Sequence, residues 1–142
     1  MLRPTMTQYN VQFVNDRITL DKLTRLLVKE KISFKSVLTT SVGEKTAIQF
    51  LAPKDHAFRE KLEKTGAVVQ EDLIFQLELP NSPDALHQVA QALAEKSINI
   101  VSLYSRIEGE TMKLVLAVDE PENAVALIEK LGFEPDYAVD EP

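Results

Sequence analysis

Apolar and polar residues alternate at Tyr9, Val11 and Phe13, with Asn10 and Gln12 between them, which predicts a strand with one wet face. The same period of two returns at Phe75, Leu77 and Leu79 against Gln76 and Glu78. After each strand the period lengthens to that of a helix. Leu20, Leu23, Leu27 and Val28 form one apolar stripe, and Leu86, Val89, Ala90, Leu93 and Ala94 form another. Ser82 before Pro83 supplies an N-cap and a first-turn residue for the second of these helices. Strands are then expected over residues 34–40 and 46–51 around a turn at Val42-Gly43-Glu44, and over 100–107 and 112–118 around Glu108-Gly109-Glu110. A glycine in such a turn provides the positive φ of a tight hairpin. Another helix opens near Asp55 in one half and at Pro121 in the other, each with acidic residues at its positive end. Both end in Lys-x-Gly, at Gly66 and Gly132, the usual left-handed cap. Short closing strands are expected at 67–70 and 133–137.

The two halves are copies. Gly43 and Gly109 lie 66 residues apart, as do Gly66 and Gly132. A gapless slide by 66 also aligns Asn15 with Asn81, Leu20 with Leu86, Leu27 with Leu93, Ile32 with Ile98 and Ser36 with Ser102. Glu44 then meets Glu110, and Glu63-Lys64 meets Glu129-Lys130, making ten identities over 63 positions. Chance would give roughly four at ordinary residue frequencies and would not bring every glycine into register. The element order is βαββαβ, twice. Right-handed crossovers then give each copy a four-stranded antiparallel sheet with both helices on one face. The expected class is α+β, two ferredoxin-like units in tandem, residues 7–71 and 72–138. A 66-residue unit buries only about 60% of its unfolded surface and is marginal alone, so the copies are expected to pack together.

Composition narrows what such a chain can do. With 142 residues, no cysteine and a net charge of −6, disulfides, thiolate metal sites and a cysteine nucleophile are excluded. The acidic balance speaks against a nucleic-acid partner, and no apolar run reaches the ~18 residues of a membrane span. No secretory signal precedes the first strand, so a cytoplasmic location is expected. His56 and His87 are too few for a histidine metal site, no phosphate-binding glycine loop occurs, and no carboxylate pair recurs in both copies at inward positions. No cofactor or metal is expected, and catalysis is not indicated. With the helices on one face, the other should carry Asn10, Gln12, Lys35, Val37, Thr39, Ala47 and Gln49 in the first copy. In the second it should carry Ile74, Val101, Leu103, Val115 and Ala117, with Gln76, Glu78 and Lys113. The second set predicts an apolar patch covered by the other copy or by another subunit. A two-fold homodimer is the default assembly.

Residues 77–107 resemble the ACT domain, a small amino-acid-sensing regulatory module. The family pattern runs from a polar strand end through a loop close to Asn/Asp-x-Pro-Gly-x-Leu and an amphipathic helix to an Asn-Ile at the next strand. Asn81-Ser82-Pro83-Asp84-Ala85-Leu86 and Asn99-Ile100 stand at those places. In the first copy Asn15, Leu20 and Phe34 match, while Arg17, Ile18 and Ser33 depart from the pattern. The resemblance implies a non-enzymatic regulator that binds a small amino acid between neighbouring units, through the loop after the first strand of one and the second strand of the other. A helix amino terminus suits a carboxylate, and an Asn amide can hold both ends of a zwitterion. Asn81, Ser82 and Asn99 are then the ligand-binding candidates of the second copy, and Asn15 and Ser33 those of the first. If the copies pair with each other, the resemblance puts Asn15 with Asn99 and Asn81 with Ser33. Asp84 and Ile18 replace the family's glycine. Asp84 would repel a carboxylate and can grip an ammonium group, and Arg17 can pair a carboxylate bidentately. The alternative is a ligand-free interaction subunit of a metabolic enzyme.

Overall fold

The computed structural model describes residues 6–14 and 19–137. The chain divides into two compact units, one spanning Met6–Asp72 and the other beginning at Leu73. The first contains β1 (Thr7–Val14), α1 (Thr19–Lys29), β2 (Lys35–Val42), β3 (Lys45–Ala52), α2 (His56–Lys64) and the opening residues of β4 (Val68–Pro80). The second contains the rest of β4, α3 (Pro83–Glu95), β5 (Ile100–Glu108), β6 (Thr111–Val118) and α4 (Pro121–Lys130). What reads in the sequence as a closing strand and a new opening strand is one continuous strand of 13 residues.

In the first unit the strand order is β2-β3-β1-β4, and β3 pairs antiparallel with both β1 and β2. Tyr9, Val11, Ile48 and Phe50 from one face of this sheet join Leu23 and Leu27 of α1 and Phe58 and Leu62 of α2 in a single core. Tyr9 stacks on Phe50 at 5.3 Å between ring centroids and meets Phe58 edge-on at 5.6 Å. In the second unit the order is β4-β6-β5, again antiparallel. Phe75, Leu77, Leu114 and Leu116 pack against Val89 and Leu93 of α3 and Ala124 and Ile128 of α4. Full burial of each of the Val, Leu, Ile and Phe side chains contributes about 1.5–3 kcal/mol. This is the α+β arrangement of sheet and helices that the periodicity predicts.

Helix ends follow the expected chemistry. Asp55 caps α2, its Oδ1 accepting the Phe58 N–H at 3.0 Å, and Ser82 caps α3, its Oγ accepting the Asp84 N–H at 3.1 Å. The ends of α1 and α3 are less expected. Their left-handed residues are Lys31 (φ 56°) and Ser97 (φ 57°), equivalent positions that carry no glycine. Behind Ser97, the Ile98 N–H donates to the Leu93 carbonyl at 2.9 Å and the Ser97 N–H to that of Ala94 at 3.0 Å, a Schellman closure.

Two expectations fail. The strand at 133–137 reduces to an isolated bridge in which Gln76 and Asp136 exchange backbone hydrogen bonds of 2.6 and 2.8 Å. Pro135 has no N–H to extend it. The open faces also differ from the simple alternation, because β2 and β5 each contain a bulge near their start. The register shifts between Lys35 and Val37, where Ser36 has φ 54°, and between Ile100 and Ser102. One extra residue turns everything after it to the other face. Leu38 and Thr40 therefore lie opposite Gln49 and Ala47, while Val37 and Thr39 lie opposite the core residues Phe50 and Ile48. In the second unit Ser102, Tyr104 and Arg106 lie opposite Ala117, Val115 and Lys113, and Leu103 lies opposite Leu116 of the core. The predicted apolar patch loses Leu103, Val101 is the unpaired residue of the bulge, and of the remaining members Ile74 and Ala117 are already fully buried.

Candidate functional site

The residues singled out in the second unit lie at opposite ends of its sheet. Asn81 follows Pro80, the partner of Thr111, so it sits beside the β5–β6 hairpin, and its N–H donates to the Glu110 carbonyl at 2.8 Å. Its exposed side chain leads into the first turn of α3, where Ser82 is committed to the cap and the carboxylate of Asp84 is open to solvent. Asn99 precedes Ile100, the partner of Val118, at the far end of the same sheet. The seven steps of β6 between Thr111 and Val118 span about 24 Å at ~3.4 Å per residue. One small ligand cannot touch Asn81 and Asn99 of the same unit.

Asn99 is already partnered. Its Nδ2 donates to Asp119 Oδ2 at 2.9 Å and its N–H to Asp119 Oδ1 at 3.0 Å, while the Asp119 N–H returns to the Asn99 carbonyl at 3.1 Å. The amide thereby ties the start of β5 to the end of β6. In the first unit the equivalent of Asn99 is Ser33, which is exposed, and the equivalent of Asp119 is Pro53, which has no carboxylate to offer. The Pro53 carbonyl instead accepts from the Tyr9 hydroxyl at 3.2 Å, and that hydroxyl accepts the Asp55 N–H at 3.0 Å. Burial, above all, raises the Tyr9 pKa from its ordinary 10.0, although the bond from the Asp55 backbone pulls the other way. Asn15 and Arg17, with Ile18, lie outside the described residues.

A feature that the sequence reading missed lies on the helical side of the second unit. Lys96 and Ile98, just past α3, Glu120 at the N-cap of α4, and Asn123, Ala126, Leu127 and Lys130 of α4 line an open groove of about 300 Å³. Its lining mixes apolar and charged side chains. Asn123 Nδ2 donates to Glu120 Oε1 at 2.9 Å, which holds one carboxylate oxygen and leaves the other free for a further donor. The signal that could have revealed it is a comparison of the copies. At the equivalent places the first unit has Glu30 and Lys61, which form an ion pair of 2.5 Å, where the second has Lys96 and Leu127.

Among the described residues no helix is long and apolar enough to cross a membrane. No curated protein matches the chain by sequence. A family model described as an ACT domain pair matches residues 4–140. Among solved structures, the fold is similar to that of a protein from Bacteroides thetaiotaomicron, with a TM-score of 0.74 and 16% identity over 91% of this chain and 90% of that one. It is also similar to the ligand-free regulatory subunit of aspartate kinase from Thermus thermophilus, with a TM-score of 0.63 and 16% identity over 92% and 94%. The regulatory subunit of aspartate kinase from Thermus flavus matches with a TM-score of 0.63 and 17% identity over 92% and 94%. The chain belongs to the ACT domain pair family.

Proposed function

From that membership, we propose that the protein is a non-enzymatic regulator that binds a small amino acid between ACT units and transmits its presence to a metabolic enzyme. The observation that carries this reading is the 24 Å or so of strand between Asn81 and Asn99. A ligand that used both kinds of position would need one from each of two units, and a ligand so shared favours the paired state by its differential affinity. Asn81 with Ser33, and Asn15 with Asn99, are the pairs that would contact it, with Ser82 at the helix end. Arg17 would face the carboxylate and Asp84 the ammonium group. The working units would be residues 7–71 and 72–138, acting as a homodimer in the cytoplasm. Similarity to two regulatory subunits of aspartate kinase supports an enzyme partner.

The second reading, an interaction subunit with no ligand of its own, draws on the closed Asn99–Asp119 pair, which leaves that amide little to offer. Thermal denaturation in the presence of each of the twenty amino acids separates the two. A ligand at a hundred times its dissociation constant should add about 2.7 kcal/mol of stability. Asn81→Ala should abolish the shift. Asn99→Ala should abolish it too, whereas Asp119→Ala, which frees the amide, should preserve or strengthen it. No shift with any amino acid refutes the first reading, and loss in Asp119→Ala alongside Asn99→Ala assigns Asn99 to structure alone.

A further inference from the structure

The two copies differ in charge at matched places beside their helices, where the second copy has an open groove. In the first unit Glu30, at the end of α1, and Lys61, on α2, form an ion pair that bridges the two helices. Sixty-six residues on, Lys96 and Leu127 stand at these positions. Neither can make that bridge, and the groove of about 300 Å³ lies there. Three of the other lining positions change as well. Lys54, Ala57 and Glu60 of the first unit become Glu120, Asn123 and Ala126, while Ile32 and Lys64 keep their character as Ile98 and Lys130. The result is a trough lined by the apolar side chains of Ile98, Ala126 and Leu127 and by two ammonium groups and one carboxylate.

We propose that this groove is a ligand site of the second unit, distinct from the Asn81 and Asn99 positions, for a carboxylate carried on a short branched apolar chain. Three features define that chemistry. The lining holds two cations against one anion, so a single negative charge balances it. The apolar part of the lining accepts branched aliphatic groups, which gain about 25 cal/mol per Å² of apolar surface removed from water. The volume lies at the lower end of small-ligand sites, which suits a metabolite and is too small for a protein helix. Asn123, Leu127 and Lys130 fall on one face of α4, at i, i+4 and i+7, so they present amide, apolar and ammonium groups along a run of about 10 Å. Lys96 and Lys130 take the carboxylate. The Glu120 oxygen left free by Asn123 is placed for an ammonium group, which a branched-chain amino acid carries and its 2-oxo acid lacks.

The test is titration of the full chain with leucine and with 4-methyl-2-oxopentanoate, followed by calorimetry and by the methyl resonances of Ile98, Ala126 and Leu127. The site requires saturable binding of at least one of them, with shifts at those three residues. Preference for leucine that disappears in Glu120→Gln identifies the amino acid as the source of the carboxylate. Equal or better binding of the oxo acid identifies the oxo acid. The double variant Lys96→Glu/Leu127→Lys, which installs the clasp of the first unit at two surface positions, should weaken binding tenfold or more with the fold retained. Asn81→Ala should leave the shifts of the Ile98, Ala126 and Leu127 methyl groups unchanged, so failure here is distinct from failure of the proposed amino-acid sensor. Saturation without any shift at these three residues, undiminished shifts in the clasp variant, or no binding of either compound overturns the proposal.

Discussion

Replacing Tyr9 by Phe removes one oxygen atom from the densest part of the first unit, and the structure sets the cost. The ring is completely buried between Phe50 and Phe58, and Phe reproduces that packing. What disappears is a hydroxyl that donates to the Pro53 carbonyl and accepts the Asp55 N–H, at 3.2 and 3.0 Å. Both partners lie in the loop that launches α2, whose own cap is the Asp55 side chain. Orphaning two partly buried backbone groups should cost about 1–3 kcal/mol. In urea, with a slope of about 1–3 kcal/mol per molar, the midpoint should fall by roughly 1 M at unchanged slope. The same substitution carries a pH signature. Burial raises the folded-state pKa of Tyr9 above 10.0, so the folded chain holds that proton where the unfolded chain has lost it. The resulting stabilisation is fully present below pH 10 and is lost as the pH rises through the folded pKa. Tyr9→Phe lacks this term, so the difference between the two proteins should narrow in that window. Tyr137, whose pKa is also raised chiefly by burial, sits in both proteins and cancels. A midpoint within 0.2 M of the parent (about 0.4 kcal/mol at a typical slope), or a constant difference from pH 8 to 12, would refute the argument.

Ser97 occupies a left-handed conformation that costs an L-residue energy, and nothing indicates that its side chain repays it. Ser97→Gly should raise stability by about 0.5–1 kcal/mol, read as a higher melting temperature, and a decrease would mean that the hydroxyl does hold the Schellman turn. Arg59 joins α2 to the opening of β4, donating to Glu71 at 2.7 Å and to the Val69 carbonyl at 3.1 Å. Because the guanidinium is only 31% exposed and Glu71 only 15%, Arg59→Met should cost about 1–2 kcal/mol, more than an open surface pair. Adding Glu71→Gln should restore part of that loss, and a double-mutant cycle with no coupling would contradict the pairing.

The sequence exposed what is periodic or marked by an unusual residue. Helices came from stripes such as Leu86, Val89 and Leu93, the hairpins from Gly43 and Gly109, and the duplication from glycines in register. The bulges left no such mark. Ser36 and Val101 are ordinary strand residues, and one unpaired residue reverses the faces of all that follow. Nor could the sequence show that Asn99 finds Asp119, twenty residues away, because both residues are equally common in solvent. The groove was written in the sequence only as a difference between copies, Glu30 against Lys96 and Lys61 against Leu127. A search for identities passes over such positions.

The bulges of β2 and β5 bear on a hazard common to sheets with outer strands. Both strands are at the margin of their unit's sheet and expose Phe34, Val37 and Leu38 just before and along one, and Ile100, Val101, Leu103 and Ile107 along the other. A straight ribbon of that composition would invite the same segment of other molecules to stack without limit. The kink puts its donors and acceptors out of step, so a newcomer can zip only along the stretch between bend and hairpin. Contact there stays short, which keeps a greasy margin from becoming a seed for fibres.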